Sequence, residues 1–256
     1  MNGSGCLWSN SGNPLAQAML TVSNINRLLT MTRFPRPGCW FRFTPEDWYF
    51  IRDTLAHDEQ SRAGFNAILD DPTAVPLILD NDRLFDAVVR QRRALTLSPE
   101  LFFFIVIRHA LHERGIDRPA VADYMAVVCA DFGCGAAKGP QDINRCVDSL
   151  YSVDYLEALQ QAGGHQKFFL HVQCANQFLV LTCLYPDFLH RRAERRGAPD
   201  VDYYEEVVVS HLAAAQNHVL ADEFELHDTL GQVADVFPAA RRAMNHTVRE
   251  YLSLGQ

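Results

Sequence analysis

The sequence predicts an all-α protein: one multi-helix bundle of about ten helices. Three observations predict it. Helix start signals recur along the chain, as in "TPEDW" (Thr44 to Trp48), "SPELF" (Ser98 to Phe102) and "RPAVADY" (Arg118 to Tyr124). Each sets a proline at the first helical position, where its missing N–H costs nothing. Apolar residues then return every three or four positions. Sustained apolar/polar alternation is missing, and "VPLILD" (Val75 to Asp80) is the best candidate strand but a short one. With 48% hydrophobic and 21% charged residues the chain has enough apolar material for a sizeable core.

Taken in order, residues 1–13 are rich in Gly, Ser and Asn and predict a frayed terminus, leaving 14–256 as a single helical domain. A helix is expected from Pro14 to about Thr30, with Leu20, Ile25, Leu28 and Leu29 available for packing. "RFPRPGCWFRF" (Arg33 to Phe43) holds two prolines and a glycine and cannot continue it. Thr44 then caps the next helix. Ser98, Pro99 and Gly115 delimit a helix of about sixteen residues, shorter than the roughly twenty a bilayer requires. On it, Phe103, Phe104, Ile107, Ala110 and Leu111 make one apolar face. Leu101, Phe102, Ile105 and Val106 cover the other side for two turns only, so this helix is expected to be buried at its start and to emerge at its end.

From Pro119 a helix with Val121, Met125, Val128 and Phe132 on one face is expected to stop at Gly133. The Gly-rich "GCGAAKGPQD" (Gly133 to Asp142) would then be a loop. Lys138 precedes Gly139 and no strand leads in, so the phosphate-binding P-loop pattern is not met. Further helices are expected at 153–162, 166–185, 187–196, 201–219, 222–236 and 238–253. Those at 99–114 and 166–185 are expected at the centre. No repeat at a solenoid period occurs.

A net charge of −8 favours solubility and opposes nucleic-acid backbones. The seven cysteines, at positions 6, 39, 129, 134, 146, 174 and 183, are odd in number and form no C-x-x-C pair. They read as reduced core residues, and the first twenty residues lack the basic and apolar regions of a secretory signal. The expectation is a cytoplasmic protein without a membrane span.

Histidines stand four residues before an acid at His109/Glu113, His190/Glu194, His218/Asp222 and His246/Glu250. About one such pair is expected by chance. The ion-pair reading explains them as surface helix pairs. The metal reading takes His109, His112 and Glu113, at i, i+3 and i+4, with Asp187 and His190, as ligands for zinc or part of a di-iron centre. The zincin motif is ruled out, since Ile116 stands four residues after His112.

The segment "FFLHVQCANQFLVLTCLYP" (Phe168 to Pro186) contains no Asp, Glu, Lys or Arg. Its His171, Gln173, Asn176 and Gln177 are too polar for a comfortable span. A buried helix carrying them needs hydrogen-bond partners, or else they line a polar pocket with His171 and Cys174 on the adjacent stripe. Tyr203, Tyr204, Glu205 and Glu206 are candidate partners, on a helix that Asp202 is placed to cap. Basic spots occur at Arg191, Arg192, Arg195 and Arg196, at 89–93 and at 240–242, which would bind an acidic partner if they converged.

The runs "LTCLYPDFL", "YYEE", "SPELFFF" and "ARRAMNHTVREYL" resemble a group of uncharacterised all-helical bacterial proteins over the C-terminal two-thirds of the chain. The resemblance implies a helical fold and a bacterial-type cytoplasm and transfers no catalytic residue. The function expected is a non-catalytic helical module that binds a protein partner or small ligand, with homo-oligomers possible and no cofactor. The alternative is a metal-dependent enzyme of di-iron or haem type.

Overall fold

The start signals read in the sequence explain where the described helices begin. In the computed structural model, residues 38–58, 60–62, 64–65, 74–90, 97–136 and 152–252 are described, all within the unit Pro35–Gln256. Among the described residues there is no strand. A 3₁₀ turn, Cys39–Arg42, leads into α1 (Pro45–Leu55). Then come α2 (Ala74–Leu79), α3 (Asp82–Phe85, extended by a π turn, Asp86–Arg90) and α4 (Pro99–His112). They are followed by α5 (Pro119–Ala136), α6 (Ser152–Gln161), α7 (Gly164–Leu184) and α8 (Pro186–Arg196). Last come α9 (Val201–Gln216), α10 (Val219–Glu223) and α11 (His227–Thr247, ending in a π turn, Val248–Leu252).

Thr44 and Asp47 form a reciprocal capping box on α1. Asp47 is fully buried and does more than cap: one oxygen accepts from Thr44 N (2.8 Å), the other from Ser98 N (2.9 Å). A single carboxylate therefore fixes the start of α1 against the start of α4. Ser98 itself caps α4 through Leu101 N (3.1 Å), and Gly115, at φ +70°, ends it in the left-handed region. Asp123 of α5 likewise ties distant segments together, accepting from the amides of Gly38 and Cys39 at the 3₁₀ turn.

Four local expectations are corrected. "VPLILD" is helical as α2, because Pro76 sits in the first turn, where no N–H is needed. The helix from Pro119 passes through Gly133 to Ala136; the rest of the expected loop lies outside the described residues. The two helices expected at 222–236 and 238–253 are one, α11, with Pro238 inside it. Asp200, not Asp202, caps α9, accepting from Val201 N at 2.7 Å. The residues 1–13, the helix Pro14–Thr30 and the start of the Arg33–Phe43 connection also lie outside the described residues.

Packing places α4 and α5 together as a pair joined by a short turn, and α7 against α9 as the most extensive pairing. Helix α11 touches all four. As expected, α4 and α7 are buried, and two helices join them. Every residue from Val121 to Ala130 is buried, so α5 is enclosed on all sides rather than on one face. On α11, Leu230, Val233, Phe237, Ala240 and Met244 are all completely buried. On α4, Phe104 is completely buried, whereas Phe103, expected on the same core face, is only half-buried. The end of α4 does emerge on one side: His109 is half-buried, and His112 and Glu113 are exposed.

The corner between α7 and α8 follows from one residue. Pro186 has no N–H to give the Thr182 carbonyl one turn earlier. Asn245 of α11 supplies the missing donor: its Nδ2 donates to Thr182 O (2.8 Å) and Cys183 O (2.9 Å). The two helices meet at 95°. Among the described residues no single helix is long and apolar enough to cross a membrane.

Candidate functional site

Two polar regions are built into this apolar frame, and each includes at least one histidine singled out in the sequence. The first is the end of α4. There Arg108 is buried to 2% exposure while His109 and His112 lie near the surface. Asp80, just after α2, grips the guanidinium with both oxygens, Nε to Oδ1 and Nη2 to Oδ2, each at 2.5 Å. Nη2 also donates to Asp117 at 3.1 Å. Burial works against the charge on Arg108, but the two aspartates outweigh it and hold its pKa above the usual value. Asp117 is correspondingly held low, by its hydrogen bonds from Arg108 and His112.

The two histidines do not meet, and each lies beside its own pair of carboxylates. His112 Nε2 lies 3.5 Å from Asp117 and 3.8 Å from Asp80. His109 stacks on Phe85 at 3.5 Å between ring centres, with Glu113 at 3.6 Å and Asp82 at 3.9 Å. Together Leu79, Asp80, Asn81, Asp82, Phe85, Ile105, Arg108, His109 and His112 line a shallow cleft, open to solvent, whose volume of about 10 Å³ has room for about one water molecule. Arg108 Nη1 is buried there and has no hydrogen-bond partner among the described residues. An unpaired buried donor of this kind is costly, about 1 to 3 kcal/mol.

The second region is the α7–α9 seam. His171 Nδ1 lies 3.2 Å from His211 Nδ1, and His211 Nε2 lies 3.8 Å from Cys174 Sγ. A neutral imidazole carries one N–H. If the thiol donates to His211 Nε2, then His211 Nδ1–H donates to His171, and the chain ends with the remaining N–H of His171. Burial pushes the His211 pKa down to about 4, assisted by His171, and the Cys174 thiol up to about 12. His171 is also lowered, by burial and by the nearby Lys167 charge. All three groups are therefore neutral near pH 7. A catalytic cysteine needs the opposite shifts, a low thiol and a charged imidazole.

One turn further along α7, Asn176 Oδ1 accepts from Tyr124 of α5 (2.6 Å) and Gln177 Oε1 from Tyr155 of α6 (2.7 Å). These two tyrosines were not foreseen as partners; nothing local in the sequence marks them. Tyr124 is buried, which raises its pKa. Gln173 lies half-buried on the same helix. Of the residues in "YYEE", Tyr204 stacks on Phe178 at 4.8 Å, Tyr203 lies edge-on to Tyr204, Glu205 pairs with Arg241, and Glu206 is exposed.

The residues of the metal reading are not brought to one centre. Asp187 pairs with Arg249 (3.3 Å), and His190 lies beside Glu194 (3.4 Å) and Asp200 (3.7 Å). Among the described residues, no group of three or more His, Cys, Asp or Glu side chains is placed to hold a metal ion. Three of the four His-to-acid pairs form as helix pairs: His109/Glu113, His190/Glu194 and His246/Glu250. In the fourth, His218 caps α10 through Leu220 N instead, and Asp222 lies near His227. Arg191, Arg192, Arg195 and Arg196 lie on α8, while Arg241 is engaged by Glu205 and Asp202. Compared with protein-family models, curated proteins and solved structures, the chain matches none.

Proposed function

We propose that this protein is a non-catalytic helical module of a bacterial-type cytoplasm that binds a small ligand in the cleft at the end of α4. One observation carries the reading: a guanidinium is held rigidly in that cleft by two aspartates, with one buried N–H₂ group left over. Proteins seldom leave such a donor unmet, and unmet donors cluster where a ligand or water supplies the acceptor. The apolar floor of Leu79, Phe85 and Ile105 beside a few polar groups is the usual make-up of a small-molecule site.

Thermal melts of the whole chain against a library of small polar metabolites test this. A ligand at about a hundred times its Kd adds about 2.7 kcal/mol of stability. The expected result is a compound that raises Tm in the wild type and does so much less in His109→Ala, whose ring closes one wall of the cleft. A library that stabilises neither protein, or stabilises both alike, overturns the proposal.

A further inference from the structure

We infer that His218 is an acid-sensitive latch: as a neutral imidazole it holds α10 against the start of α7, and proton uptake there releases α10. The inference is independent of the small-ligand reading. It rests on a pair of bonds that only a neutral ring can make. His218 Nδ1 accepts from Leu220 N at 3.1 Å and so caps α10. Its Nε2 lies 3.0 Å from the carbonyl oxygen of Gly164, the first residue of α7, and donates to it. Together the two bonds fix the tautomer, with the proton on Nε2. An imidazolium carries N–H on both nitrogens, so it keeps the bond to Gly164 and loses the cap. It also sets a cation at the first turns of α7 and α10, where the helix dipoles oppose it.

The surroundings add to that opposition. Of the ten histidines, five stand within 4 Å of a carboxylate: His109, His112, His190, His227 and His246. Four others gather at this end of the α7–α9 pair. His165 lies 6.1 Å from His218 between ring centres, His171 meets His211 at 3.2 Å, and His171 stands in the field of both Lys167 and His218. Among the described residues no carboxylate lies within ion-pair distance of these four. Glu157 of α6, Asp222 and Glu223 of α10, Glu225 after it and Asp228 of α11 are all exposed. Asp222 lies beside His227 instead, at 3.7 Å. A proton on His218 therefore meets Lys167 and no close counter-charge. The open state takes up that proton more readily than the latched state, so falling pH favours opening. Opening uncovers an apolar face: Phe224, at the end of α10, stacks at 5.9 Å on Phe168, which is completely buried.

Hydrogen exchange of the full chain tests this, read by mass spectrometry as protection factors at about pH 7.5 and about pH 5. Protection factors divide out the pH dependence of exchange itself. Over Leu220 to Leu226 the expected result is a fall of about ten-fold or more at the lower pH. His218→Asn keeps an oxygen acceptor for Leu220 N and takes up no proton, so its fall should stay under about three-fold. Both proteins should lose the same protection over Val121 to Ala130 of α5, because the α7–α9 seam is untouched. His218→Ala lacks the cap and should already show the low protection of α10 at the higher pH. The latch is overturned if α10 in the wild type is equally protected at both pH values, or if His218→Asn loses protection as the wild type does. It is overturned as well if His218→Ala matches the wild type at the higher pH, or if His218→Asn alters the fall in α5 as much as that in α10.

Discussion

The end of α4 and the α7–α9 seam both place histidines beside polar groups, and they settle the electrostatics in opposite ways. At α4, four carboxylates, a guanidinium and two imidazoles gather at the edge of solvent. At the seam, two imidazoles, a thiol, two amide oxygens and two tyrosines are hydrogen-bonded without any formal charge, while the buried Gln177 Nε2 has no partner among the described residues. The difference follows from depth. Near the surface, water and counter-charges make ionised groups affordable; inside, ionisation costs more than a neutral hydrogen bond returns. Each region keeps one buried unmet donor, Arg108 Nη1 and Gln177 Nε2, but the charged one lies at a cleft open to solvent. The neutral region closes on itself, which suits a joint between helices.

That contrast can be broken hardest at Asp80. Asp80→Ala removes both bonds from a guanidinium that is 2% exposed, leaving only Asp117, itself 79% exposed. The expected loss is about 3 to 5 kcal/mol in urea denaturation at pH 7. A loss under about 1 kcal/mol would show that Asp117 alone holds Arg108 and that the buried pair is dispensable.

Acid should attack the neutral seam next. His211 titrates at about 4 in the fold and at about 6.5 when unfolded. Between those values the unfolded chain binds the proton and the folded chain does not. Stability therefore rises with pH across this window and falls as pH drops from 6.5 towards 4, by at most about 3 kcal/mol. His171 is lowered too and adds to the same slope. Replacing His211→Gln should flatten this part of the pH profile. An unchanged profile would mean that the pair takes up a proton readily and that the seam is not neutral.

A smaller effect is expected at Tyr124→Phe, which deletes the donor to Asn176 while keeping the ring. The buried amide oxygen left behind should cost about 1 to 2 kcal/mol. The smallest belongs to the exposed helix pairs. His246→Ala, which removes the partner of Glu250 at 3.2 Å, should stay within about 0.5 kcal/mol, and salt should erase what effect there is. If His246→Ala cost as much as Tyr124→Phe, depth would not be what separates the two kinds of region.

How far each region was legible depends on the range of its contacts. Caps span three residues, so Thr44, Ser98 and Gly115 announced their helix ends correctly. The i, i+4 pairs were legible for the same reason. Gly133 and Pro238 misled, since both are ordinary breakers overridden by the packing around α5 and α11. On α7 the absence of charge showed that the helix is buried, but not what its amides meet: Tyr124 and Tyr155 lie 52 and 22 residues away. At α4, His109 and His112 stood out, while Arg108 and Asp80, the groups that shape the cleft, did not. A lone arginine in an apolar helix carries no mark of the aspartate 28 residues before it.

The Asn245 bonds to Thr182 and Cys183 have a consequence for the order of events on the ribosome. The α7–α8 corner lacks a donor that no residue within it supplies, and the donor lies 63 residues downstream. When α7 and α8 emerge, the turn between them is chemically unfinished, and it stays so until α11 has been synthesised and docked. Domains commonly gain structure from the N-terminus as they leave the tunnel. Here that advantage stops at the corner, and its closure should coincide with the arrival of the helix that touches α4, α5, α7 and α9.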